Sequence, residues 1–360
     1  LAEANKCCHN DSRRRGRSVS STPSSVLIVS MLIKNGNFVV TKRIRKIALE
    51  EHFSTPGFQG YSKSFTQHIA PDVLADLAAR LADFDEQRIV EMDRAGIDYT
   101  ILSQTGPSVQ GETDPALAVA RARESNDFLA RQIGRHPTRF GGFATLPMHT
   151  PHGAVDELTR TVREFGFKGA LVNGHTLGTY YDGRAYDPFW ERVQELDVPL
   201  YLHPTDAHVM PKVFDGHPEL TGAAWGWGVE TGSHALRLLF GGVFDRFPKL
   251  KVILGHMGEG LPYLRWRFDS RFAVYSHGIR LERAPSEYIG TNILITTSGV
   301  CSAPSLLGAI GEMGSEAVMF SVDYPYESTA IAADFIEQAP LDEKVRNLVC
   351  HGNAERIFRL

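Results

Sequence analysis

Ile47-Ala48-Leu49-Glu50-Glu51-His52 is a short apolar run that ends in two carboxylates and an imidazole. It reads as a buried strand with metal-competent or acid/base groups at its C-terminal end. Far along the chain, Val318-Met319-Phe320 leads into Ser321-Val322-Asp323-Tyr324-Pro325 in the same way. Between them lie Leu200-Tyr201-Leu202-His203-Pro204 and Val252-Ile253-Leu254-Gly255-His256. Carboxylates and imidazoles placed repeatedly just after strands point to one site at one face of a parallel β-barrel.

The rest of the chain carries the same rhythm. Eight β-type runs are expected at residues 46–50, 99–103, 140–146, 169–173, 199–203, 251–256, 293–297 and 318–323. They are apolar throughout rather than alternating, as parallel strands covered on both faces must be. Helical spacing occupies 83–95, 115–134, 152–165, 188–196, 229–244, 303–313 and 330–338, and Gly96 and Gly166 sit where helices should stop. Eight β/α units predict an α/β fold, a (β/α)8 TIM barrel. The alternative is a doubly wound open sheet, which carries a glycine-rich phosphate turn after its first strand. Here the first strand runs into Glu-Glu-His-Phe, and no G-x-G-x-x-G or P-loop occurs. Residues 54–82 form the longest linker without clear periodicity and are expected to cap the barrel mouth.

Length and composition suit one large domain: 360 residues, 42% hydrophobic and 22% charged. The net charge of −4 is unevenly spread. Residues 1–46 hold ten Lys/Arg against Glu3 and Asp11, which leaves about −12 for the remainder. That balance argues against nucleic acid as a partner of the folded body. Residues 1–43 read as a basic extension without a packed core, and 44–360 as a single catalytic domain. The Arg/Ser-rich stretch 13–25 also fits a transit peptide, or sequence ahead of a start at Met31. Cys7, Cys8, Cys301 and Cys350 do not make a disulfide framework, so a reducing compartment, the cytoplasm, is expected. No run reaches the roughly 18–20 apolar residues of a membrane span, and no membrane partner is expected.

Taken in order, the strand ends offer Glu50 and His52, Ser103, Leu146-Pro147, Asn173, His203, His256, Thr297-Ser298 and Asp323. One His after a strand is more often structural than functional, and Asp323 alone reads as a helix cap. Together, Glu50, His52, His203 and Asp323 form a mixed O/N donor set for one divalent ion, Zn2+ or Mn2+, with Mg2+ possible. No organic cofactor is expected. Glu259 lies three positions after His256, placed to bond it and fix its tautomer. Phe53, Trp225, Trp227 and Tyr326 are candidates to line an aromatic pocket.

These segments, with Gly169-Ala170-Leu171-Val172-Asn173-Gly174 and Ile253-Leu254-Gly255-His256-Met257-Gly258-Glu259-Gly260-Leu261-Pro262, carry a resemblance. From residue 46 to the end, the chain resembles the decarboxylase branch of the amidohydrolase superfamily. Members of that branch act on gamma-resorcylate (2,6-dihydroxybenzoate), 2,3-dihydroxybenzoate and salicylate. The resemblance implies that Glu50, His52, His203 and Asp323 are metal ligands and that Asp323 is also the proton donor. It makes His256 and Glu259 a supporting pair, and Arg267 and Asn173 substrate-facing residues. It also implies a homodimer or homotetramer. His52 favours the resorcylate-like subgroup. Two features depart from the branch: Pro204-Thr205-Asp206 after His203, and a short 173–186 loop.

The chemistry agrees. Loss of CO2 from an aryl carboxylate leaves a prohibitively basic aryl anion. An ionised ortho hydroxyl lets the ring carbon take a proton first, after which CO2 leaves as aromaticity returns. The expected activity is therefore metal-dependent, reversible decarboxylation of a hydroxybenzoate by ring protonation from Asp323. The alternative is a metal-dependent hydrolase of a lactone or amide on the same barrel, with Asp323 as base.

Overall fold

The computed structural model describes residues 29–34, 37–61, 66 and 69–360. It divides into two units, 1–43 and 44–360. In the first, β1 (Val29–Lys34) pairs antiparallel with β2 (Asn37–Lys42). The extension expected there without a packed core thus carries a two-stranded hairpin. The missed signal is Asn35-Gly36 between two β-type runs, a dipeptide that favours tight hairpins. Residues 1–28 lie outside the described residues, and with them the transit-peptide reading.

The second unit contains eight parallel strands. They are β3 (Lys46–Phe53), β4 (Ile97–Gln104), β5 (Phe140–Gly142), β6 (Ala170–Asn173), β7 (Leu200–His203), β8 (Val252–Leu254), β9 (Ile293–Thr296) and β10 (Val318–Met319). Each falls on an expected run. Ladders join β3-β4-β5 and β6-β7-β8-β9-β10. Isolated parallel bridges bring the two groups together at both seams, Ala144 with Ala170 and Glu51 with Tyr324. At the second seam, His52 N–H donates to Tyr324 O (2.7 Å) and Asp323 N–H to Glu50 O (3.1 Å). The circle of strands is the (β/α)8 barrel the sequence predicts.

Strand pleating sorts the apolar residues into two layers. Ile47, Leu49, Ile101, Leu171, Tyr201, Ile253, Leu294 and Met319 form the inner cluster, joined by Ala354 and Phe358 of helix Asn353–Phe358. The neighbouring positions Ala48, Val172, Leu202, Leu254 and Ile295 belong to the larger cluster under the helices. Both layers are apolar, which is why the runs do not alternate.

Each expected stretch contains a helix, but 229–244 is broken into Gly226–Phe240 and Val243–Arg246, and Arg265–Phe272 and Asn353–Phe358 lie outside the expected stretches. The helix expected from residue 83 begins at Gln87. Asp83 instead accepts the backbone N–H groups of Glu86 (3.1 Å) and Arg88 (2.6 Å), a local capping arrangement. Within the expected linker 54–82, Pro71–Ala82 is a helix. Leu81 is its one fully buried residue, but Leu74, Leu77, Ala78 and Leu81 recur at helical spacing, a signal the sequence reading passed over. Thr66 and Ile69, earlier in the linker, do line the barrel mouth. Among the described residues no helix is long and apolar enough to cross a membrane.

Candidate metal centre

Simple alternation would send Ile47, Leu49 and Glu51 to one side of β3. The observed site uses Glu50 and His52 instead, because the strand bulges. Its register against β4 shifts between Ala48 and Glu51. Ser321 Oγ accepts the consecutive amides of Leu49 (3.3 Å) and Glu50 (2.6 Å), which an unbulged strand would point in opposite directions. The bulge turns Glu50 and His52 into the mouth. Glu51 turns aside and accepts hydrogen bonds from Val322 N–H (3.0 Å) and the Ser321 hydroxyl (3.3 Å). Burial pushes the Glu51 carboxyl up to about 8.

One donor atom each from Glu50, His52, His203 and Asp323 lies within 4.8 Å of all the others. His52 Nε2 is 3.3 Å from Asp323 Oδ1, and His203 Nε2 is 3.4 Å from Glu50 Oε1. Two ligands bound at about 2.0–2.2 Å to one ion would be separated by this much. Glu50 Oε1, His52 Nε2 and Asp323 Oδ1 are buried without a hydrogen-bond partner, a costly state that a cation relieves. Burial holds Glu50 above the usual carboxylate range, although the His256 charge opposes this. Burial, reinforced by the neighbouring His52, holds His203 well below the usual imidazole range. His203 is therefore the neutral ligand a metal needs. The residues present fit a divalent ion.

Groups behind the ligands fix their orientation. His203 Nδ1–H donates to Pro204 O (2.9 Å), leaving Nε2 for the centre. Ser103 Oγ meets His52 Nδ1 at 3.1 Å, with the same result. The Tyr201 hydroxyl donates to Glu50 Oε2 and also contacts Thr296 Oγ1 (2.8 Å). Gly255 lets the Glu50 carboxylate lie against the β8 end, since a Cβ there would sit 2.5 Å from Oε2. Sequence reading missed Tyr201, Thr296 and Gly255. Only Gly255, a glycine closing a strand, left a signal.

His256 and Glu259 meet as expected, Nδ1 to Oε1 at 2.8 Å. The other ring nitrogen of His256 is 3.5 Å from Asp323 Oδ2. His256, Met257 and Glu259 have φ of 47°, 57° and 52°, and Asp323 has φ of 81°. Such left-handed non-glycine residues gather where geometry matters more than local stability. Burial disfavours charge on His256, but the Glu50 and Glu259 carboxylates outweigh it and hold its pKa well above the usual imidazole range. Burial alone would raise Asp323, yet the facing His256 and His52 imidazoles hold it well below the usual carboxylate range.

A cavity of about 420 Å3 opens above these groups, lined in part by Thr105, His203, Trp227, His256, Asp323 and Tyr326. Trp227 and Tyr326 lie where the sequence placed them. Trp227 Nε1–H is anchored to Asp206 Oδ1 at 2.6 Å. Asn173 pairs in register with His203, and its buried Oδ1 has no partner. Three expectations need correction. Phe53 is fully buried in the core, stacked 6.0 Å from Phe128 and tilted 5.7 Å from Phe84, so it packs the barrel and does not line the cavity. Arg267 is exposed on helix Arg265–Phe272, which packs Phe268 inward, and it is not part of the cavity wall. Trp225 is 58% exposed, outside that wall.

A parallel barrel that gathers two carboxylates and two imidazoles at the C-terminal ends of its strands defines a metal-binding barrel protein. The chain belongs to the amidohydrolase family, whose model matches residues 52–360. It is 45% identical to a gamma-resorcylate decarboxylase of Polaromonas sp. (strain JS666) over 88% of this chain and 98% of that relative. A crystal structure of 2,6-dihydroxybenzoate decarboxylase with 2,6-dihydroxybenzoate superposes with a TM-score of 0.83 at 40% identity, covering 88% of this chain and all of that one. A dihydroxybenzoic acid decarboxylase from Polaromonas sp. JS666, solved with manganese and the inhibitor 2-nitroresorcinol, gives a TM-score of 0.83 at 44% identity, covering 88% and 97%.

Proposed function

We propose that the protein is a metal-dependent carboxy-lyase that removes CO2 reversibly from a hydroxybenzoate, with 2,6-dihydroxybenzoate as the substrate. The carrying observation is the contact of the His256–Glu259 pair with Asp323, a member of the ligand set, in the cavity wall. The similarity to dihydroxybenzoate decarboxylases over 88% of the chain supports the same reading.

Glu50, His52, His203 and Asp323 would hold the ion, and the manganese in the similar Polaromonas structure supports Mn2+. When bound, such an ion would supply Lewis-acid charge beside the substrate's oxygens and so lower the pKa of a phenol there. The chain's own residues move the proton. His256, bonded to Glu259 through Nδ1, faces Asp323 Oδ2 at 3.5 Å through its other ring nitrogen and passes the proton there. Asp323 delivers it to the ring carbon that carries the carboxylate. The bond to CO2 then breaks, and its electron pair restores the aromatic ring. Glu259 orients His256 and receives no proton itself. Trp227 and Tyr326 confine the ring, and Asn173 supports the mouth beside His203.

The catalytic unit is residues 44–360. The protein works as a homodimer or homotetramer, a reading supported by the exposed apolar side chains Val209, Val213 and Trp266. It works in the cytoplasm, in keeping with the free thiols of Cys301 and Cys350. The test is to incubate Mn2+-loaded protein with hydroxybenzoates and, separately, with lactones. Resorcinol formed from 2,6-dihydroxybenzoate, followed by chromatography, is the expected result. Lactone hydrolysis without any decarboxylation would overturn the reading.

A further inference from the structure

The cavity wall carries three carboxylates, and two are committed. Asp323 belongs to the ligand set, and Glu259 is held by His256 at 2.8 Å. The third is Glu327. Its backbone N–H donates to Asp323 O at 3.0 Å, which sets it one turn beyond the ligand. Glu327 is exposed and lines the cavity, and among the described residues its side chain makes no hydrogen bond or ion pair. With Tyr326 it also lines an outer hollow that holds Arg80 and Arg94, so the two residues form the partition between the spaces.

Other polar groups on the wall are engaged. Thr105 Oγ1 bonds the Tyr326 hydroxyl, and Trp227 Nε1–H is taken by Asp206. Among the described residues no Lys or Arg lines this cavity. A substrate group turned away from the ligand set therefore meets one uncommitted carboxylate. An ionised carboxylate only accepts hydrogen bonds, so it favours a donor and repels an anion.

We propose that Glu327 is a specificity-determining residue that accepts a hydrogen bond from a second phenolic hydroxyl and rejects a second carboxylate. This rests on the hydroxybenzoate reading and narrows its substrate class to polyhydroxylated monocarboxylates. A site that binds a substrate hydroxyl discriminates against the analogue lacking it, and at a partly open wall the effect is about tenfold.

The test compares kcat/KM of the wild type, Glu327→Leu and Glu327→Gln on 2,6-dihydroxybenzoate and salicylate. Inhibition constants for resorcinol, phenol and 3-hydroxyphthalate are measured alongside, with metal content checked in each protein. Leu should reduce the preference for the dihydroxy acid about tenfold, chiefly through KM, and should weaken resorcinol but not phenol. Gln keeps an acceptor, so it should restore most of that preference. Both variants should bind 3-hydroxyphthalate about tenfold more tightly than the wild type. If the wild type decarboxylates no hydroxybenzoate, the underlying function is wrong. If it does, and both variants keep the wild-type preference and the wild-type affinity for 3-hydroxyphthalate, the function stands and the role of Glu327 is overturned.

Discussion

Ser321 Oγ lies 2.6 Å from the backbone nitrogen of Glu50, across 271 positions of sequence. The same oxygen accepts the Leu49 amide at 3.3 Å, so one hydroxyl holds the bulge that faces Glu50 and His52 into the site. Ser321→Ala should leave two buried amides without this acceptor, at about 1–3 kcal/mol each at most. The barrel should survive, since its strands are joined by many other bonds. Metal affinity should fall roughly 10–100-fold, as it does when groups orienting a ligand are removed. Circular dichroism and a Mn2+ titration separate the two effects. Unchanged affinity would show that the bulge persists without Ser321.

The ligand set itself is tested by heat as well as by turnover. An ion that binds only the folded chain raises the melting temperature as its concentration rises. Mn2+ should stabilise chelator-treated wild type, whereas Glu50→Ala and His203→Ala should respond weakly or not at all. Chelation should abolish wild-type turnover, and Mn2+ should restore it. A full thermal response in either variant would remove that residue from the ligand set.

Strand ends were legible in the sequence because a polar group directly after an apolar run is conspicuous. Glu50, His52, His203, His256 and Asp323 all announce themselves this way. The choice between Glu50 and Glu51 as the inward carboxylate was less plain from pleating, because it depends on the bulge and on the distant Ser321 hydroxyl. Tyr201 was hidden for the opposite reason. It looks like one more apolar strand residue, and only the fold brings its hydroxyl to Glu50 and Thr296. Phe53 failed as a pocket residue because an aromatic beside a site and one in the core leave the same trace in sequence. Helix Pro71–Ala82 was legible from Leu74, Leu77, Ala78 and Leu81 at helical spacing, and was passed over inside a segment read as linker.

His234 gives a pH signature separate from the metal centre. It is 1% exposed, with Tyr180 and Tyr181 rings about 5 Å away, and its Nε2 accepts the Tyr181 amide at 3.4 Å. Burial, aided by the nearby His175 and Arg237, lowers its pKa to about 3. The unfolded chain has an imidazole near 6.5 and so binds the proton first. Stability from the neutral ring is complete above pH 6.5 and is lost as pH falls below it. Between pH 6.5 and 5 the loss from this residue is about 2 kcal/mol. Denaturant midpoints of wild type and His234→Gln at both pH values should therefore differ, the variant losing less on acidification. Parallel losses would show that the ring is protonated in the fold.

His256 and Glu259 should behave as one unit. Their 2.8 Å bond makes the carboxylate useful only through the imidazole it orients. His256→Ala and Glu259→Ala should each slow turnover by about 10² or more, and the double variant should cost little beyond the worse single. Losses that multiply would indicate two independent roles.

Asp323→Asn should uncouple metal binding from proton transfer. Asn keeps the volume and a carbonyl oxygen, so the ion still has a ligand at that position, though a weaker one. It cannot deliver a carboxylic proton to carbon. A general acid contributes about 10²–10⁴-fold, so decarboxylation should fall by that factor while measurable metal is retained. Exchange of the resorcinol ring hydrogen with deuterated water should fall in parallel, because exchange reports proton transfer to carbon without requiring CO2 to leave. His256 supplies the sharper contrast, since its Nε2 lies 3.5 Å from Asp323 Oδ2 and would lose its acceptor in the variant. If Asp323→Asn exchanges ring hydrogen at the wild-type rate, Asp323 is a ligand alone, and His256 protonates the ring directly.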